Sequence, residues 1–70
     1  MNEMMHKDDA KRAVEAELQS RNLPKPMTLE ELNLFCEEMY KRLEFKSENE
    51  RLTDILKWAE AWQAKNLPSN

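Results

Sequence analysis

Leu29, Leu32, Cys36, Met39 and Leu43 stand 3, 4, 3 and 4 residues apart. A stripe with that step lies along one side of an α-helix and suits shallow-angle packing against a second helix. It predicts a helix over about residues 29–44. Phe35 and Tyr40 flank the seam, while Leu34 and Phe45 fall well off it. Thr28-Leu29-Glu30-Glu31 has the form of a capping box at its start, and Met27 and Leu32 occupy the two positions of a hydrophobic staple. Glu37–Lys41 and Glu38–Arg42 follow the favourable i, i+4 order on the outer face.

A second stripe, Leu52, Ile55, Ala59 and Trp62, steps 3, 4 and 3. Leu56 widens it on one side and Trp58 on the other. Ser47-Glu48-Asn49-Glu50 reads as another capping box, which predicts a helix from near Glu48 to about Lys65. Only Phe45 to Ser47 would then separate the two helices, and so short a connection makes them an antiparallel hairpin. Ahead of them, Ala10, Val14 and Leu18 mark the narrow apolar face of a first helix, from about Asp8 or Asp9 to Arg21. Asp8–Arg12 and Glu17–Arg21 are spaced to support it by about 0.2–0.5 kcal/mol each.

The helices are punctuated by one recurring phrase. Gln-Ser-Arg-Asn-Leu-Pro (19–24) returns as Gln-Ala-Lys-Asn-Leu-Pro (63–68). In a chain with no glycine, Asn22 and Asn66 are the residues best able to take the left-handed conformation that ends a helix. Leu23 and Leu67 are placed to fold back on the last turn, and Pro24 and Pro68 prevent continuation. Residues 1–7 read as frayed, 22–27 as a stiff connector containing Pro24 and Pro26, and 66–70 as a tail. No stretch alternates like a strand. The expected fold is all-α. Helices 2 and 3 form an antiparallel hairpin in one small domain, and helix 1 packs across it or across a partner subunit.

Composition narrows the classes. Seventy residues bury too little apolar surface for strong stability without staples, very good helix packing or a second subunit. Cys36 is the one cysteine and His6 the one histidine, so a disulfide within the chain and a cysteine/histidine zinc site are both excluded. A homodimer is therefore expected. The net charge is −3, from 11 basic and 14 acidic residues, and both signs are spread evenly along the chain. Bulk electrostatics favour neither nucleic acid nor an anionic membrane. With no leader pattern, no membrane-spanning run and a lone thiol, the expected location is the cytoplasm.

Candidate chemistry is sparse. Phosphate-cradling loops and nucleophile elbows need glycines that this chain lacks. Glu30/Glu31 and Glu37/Glu38 read as solvated helix charge. Cys36 lies on an apolar seam, where a thiol is ordinarily an inert core residue. No catalytic residue, cofactor or metal is expected. The expected activity is binding another protein, as an adaptor, inhibitor or regulator. The surface expected to do so comprises Trp58, Trp62, Phe35, Leu34 and Phe45, because the first helix carries too little bulk to cover two tryptophans and two phenylalanines. The alternative class is a DNA-binding regulator. It requires Lys7, Lys11, Arg12, Arg21 and Lys25 to gather on one face.

Overall fold

The computed structural model describes residues 4–68, which form three α-helices. These are α1 (Lys7–Ser20), α2 (Leu29–Arg42) and α3 (Arg51–Asn66). Among the described residues there is no strand. None of these helices is long and apolar enough to cross a membrane.

The capping box of α2 forms as expected. The Glu31 amide donates to Thr28 Oγ1 over 3.2 Å, and the Thr28 amide donates to Glu31 Oε1 over 2.9 Å. The buried side of α2 consists of Leu32, Phe35, Cys36 and Met39. It is turned toward Phe35 relative to the expected seam. Leu29, the first helical residue, is left 74% exposed.

Helices α2 and α3 share the most extensive packing. Contacts at both ends fix their sense. Arg51 Nη1, at the start of α3, donates to the Leu43 carbonyl just past α2 over 2.5 Å. At the far end, Gln63 Oε1 accepts from the Met27 amide just before α2 over 2.7 Å. The two helices therefore run in opposite directions, as a hairpin must.

Their connection differs from the expected three residues. α2 stops at Arg42 and α3 starts at Arg51, so 43–50 is a loop. Leu43 is extended (φ −109°, ψ 122°), and Phe45 pairs with Met5 in an isolated parallel bridge. Residues two apart on extended chain point the same way. Leu43 and Phe45 are accordingly both buried, at 7% and 1% exposure. A continued helix would have separated them. The second capping box does not form. Ser47 Oγ donates instead to Asp54 Oδ2 over 2.5 Å and accepts from the Asn49 amide over 3.2 Å. Glu50 takes the N-cap position without a side-chain bond.

Helix α1 packs along α3. Ala10, Val14 and Leu18 are fully buried. Close to the start of both helices, Lys7 Nζ lies 3.8 Å from Asp54 Oδ2. Where they end, Leu18 and Leu23 share a cavity with Trp62 and Leu67. α1 and α3 therefore run in the same direction, and the bundle is up-down-up. α1 starts at Lys7, and Met5, within the stretch read from the sequence as frayed, donates its amide to the Glu44 carbonyl over 2.9 Å. Residues 1–3 and 69–70 lie outside the described region.

Ion pairs bridge the end of α1 and α2. Arg21 reaches Glu17 at 3.2 Å and Glu38 at 3.6 Å. Arg42 reaches the same two carboxylates at 3.7 Å each. The four side chains close a ring of alternating charge. The Arg21 guanidinium also lies 4.9 Å from the centre of the Phe35 ring and roofs it.

Candidate functional site

The five side chains expected to form a binding surface are dispersed by the fold. Phe35 and Phe45, each 1% exposed, belong to the core of the single chain. Trp58 and Trp62 are partly buried and pack against that core. Trp58 sits 5.2 Å from Phe45, ring centre to ring centre, at a tilt of 36°. Leu34 alone stands free, at 63% exposure. The chain flanking α1 on both sides covers more than the helix's small residues suggested. Arg21 spans Phe35, and the extended segment through Met5 closes over Phe45.

The exposed apolar surface lies elsewhere. On the side of the α2–α3 pair away from α1, Leu29, Asn33, Cys36 and Tyr40 form a stripe with steps of four, three and four. Cys36, Asn33 and Glu37 line a shallow cavity of about 210 Å³ with Leu52 and Leu56 of α3. Leu29 is 74%, Tyr40 40% and Leu52 40% exposed. Leu29 and Leu52 are both members of the stripes read from the sequence as core. They carry the right periodicity, but sit at the first turn of their helices, where the bundle no longer covers them. The seam that predicted a partner helix contained these residues, but periodicity does not say which of its members an intramolecular neighbour will reach.

Tyr40 is held in place. Arg51 stacks on its ring at 4.2 Å and donates to its carbonyl over 3.2 Å. Cys36 forms part of the floor at 2% exposure. Burial, and secondarily the nearby Glu60 carboxylate, push its thiol up to about 11, so it is protonated and a poor nucleophile at neutral pH.

A second patch borders Leu34, where Leu23 and Met27 of the connector meet Phe35 around a cavity of about 240 Å³. A third hollow, about 350 Å³, lies between the two Asn-Leu-Pro segments and has Trp62 in its wall.

Charge is arranged for pairing. Lys7 faces Asp54, Arg12 lies 3.6 Å from Asp9, and Arg21 belongs to the ring. Lys11 and Lys25 make no ion pair among the described residues. Nor do the described residues contain a group of three or more histidine, cysteine or acidic side chains placed to hold a metal ion. No family model, characterised protein or solved structure matches the chain.

Proposed function

We propose that this protein is a small helical interaction module that works by packing the α2–α3 face against another protein chain. The observation that carries this reading is the exposure of Leu29 and Tyr40 on the α2 stripe that includes Cys36, beside Leu52 at the shallow cavity lined by Cys36 and Leu56. Apolar side chains gathered on one face, with a polar rim, are characteristic of docking surfaces. Arg51 pre-orders Tyr40, which lowers the entropic cost of using that ring as an anchor. Such a module acts as an adaptor, inhibitor or regulator, with no reaction of its own. DNA binding is the less favoured class, because three of the five basic side chains it would recruit are engaged with carboxylates.

The test is affinity capture from native extract with the wild-type chain and a Leu29→Asp/Leu52→Asp variant. Both positions are exposed, so the variant keeps its helical circular dichroism. Loss of a specific captured protein supports the face. Undiminished capture would move the surface to Leu34 and its neighbours.

A further inference from the structure

We propose that the α2–α3 face pairs with a second copy of itself, with α2 antiparallel to the partner's α2 and the two-fold axis level with residue 35. The inference rests on the α2–α3 face being the working surface and names what covers it.

Helix α2 is complementary to itself. A two-fold axis lying in the interface and crossing the helices reverses α2 upon itself. Each residue then meets one whose number brings the pair to about 70. Leu29 comes opposite Tyr40, an exposed aliphatic group over an aromatic ring already fixed by Arg51. Asn33 comes opposite Glu37, so an amide donor meets a carboxylate, and symmetry makes the bond twice. Glu30 comes opposite Lys41 on the flank away from α3, again twice. No like-charged pair arises among these positions.

Helix α3 fits the same operation. Met27 meets Gln63, and Leu43 meets Arg51. The level of residue 35 on α2 therefore corresponds to about residue 57 on α3. Leu56 lies within one residue of the axis level and comes close to its own copy, with Leu52 beside it. The polar positions of the stripe find partners and the apolar ones find cover. A random partner would not satisfy that pattern.

Area permits it. A stable pair covers about 800 Å² per partner, roughly one seventh of this chain's 5447 Å² surface. A face two helices wide and 14 residues long is of that order.

The experiment is sedimentation equilibrium over a micromolar concentration series on wild type, Glu30→Lys, Lys41→Glu and an equimolar mixture of the two variants. Both substituted positions are exposed, and circular dichroism checks folding. Wild type is expected to dimerise. Each variant alone places like charges opposite one another twice and should dimerise about tenfold more weakly. In the mixture, a Glu30→Lys chain meets a Lys41→Glu chain, and opposite charges face each other at both symmetric sites. Heterodimers should therefore form at wild-type strength. A monomeric wild type overturns self-pairing, yet leaves the interaction reading intact if the face still captures another protein. A dimer indifferent to both charge changes, or a mixture with no gain, overturns this register.

Discussion

Asn22 is the residue whose backbone most constrains its replacement. Its φ of 50° places it in the left-handed region, which costs most side chains about 1–2 kcal/mol. Asn22→Ala should therefore lower the free energy of unfolding by about 1 kcal/mol, and Asn22→Gly should not; urea titration of the two variants separates them. The matching Asn66 behaves differently. It is the last residue of α3, and its side-chain amide donates to the Trp62 carbonyl over 3.0 Å. Two nearly identical phrases thus end two helices by different means. Gln63 is another residue whose weight comes from one bond. It is 4% exposed and accepts from the Met27 amide. Gln63→Leu leaves that part-buried amide without its acceptor, and a loss of about 1–3 kcal/mol is expected in the same assay. Cys36 provides a pH test. Its thiol is raised to about 11, above an unfolded value near 9 (the ordinary thiol value). Folding thus favours the protonated form. This contribution is complete below the unfolded value and is lost as pH climbs through the interval toward 11. Labelling of the native protein with a thiol reagent at pH 8 should be far slower than labelling in denaturant.

At the scale of elements, the three helices are legible in the sequence because their stripes and stops are local. Thr28 and Glu31 form the capping box their spacing predicts. The boundary at Ser47 departs from its local signal because two tertiary demands outweigh it. Phe45 is buried on extended chain, and Asp54 takes the Ser47 hydroxyl. The roles of Asp54 and Gln63 are not legible at all. A polar residue in an apolar stripe is informative only once its partner is known, and both partners lie in connectors. Seeing the exposed α2–α3 face needs the same information, because Leu29 and Phe35 exchange roles once α1 and Arg21 are in position. The ionic ring invites a double-mutant cycle. Glu17→Gln and Arg42→Gln should show a coupling of about 0.2–1 kcal/mol that shrinks as salt is added, since Arg42 is half exposed and Glu17 only partly buried. A coupling independent of salt would assign the contact to packing of the aliphatic stems.

On the scale of the whole molecule, Leu32 and Leu56 test the interior against the proposed interface. Leu32 is 5% exposed within the chain, so Leu32→Ala should cost about 2–5 kcal/mol at any concentration. Leu56 is only partly buried, and the cost of Leu56→Ala should grow with protein concentration if a second copy completes its surroundings. The up-down-up order has a kinetic consequence as well. Leu43 and Arg51 are joined across eight residues, whereas the meeting of Lys7 with Asp54 must close most of the chain. Loop closure of the first kind is cheaper, so α2 and α3 should pair before α1 arrives. Val14→Ala should then quicken unfolding and leave the refolding rate nearly unchanged, while Ile55→Val should slow refolding. Until α1 docks, the nascent hairpin exposes both its sides, and the earliest compact species is the one most open to premature association with its own kind.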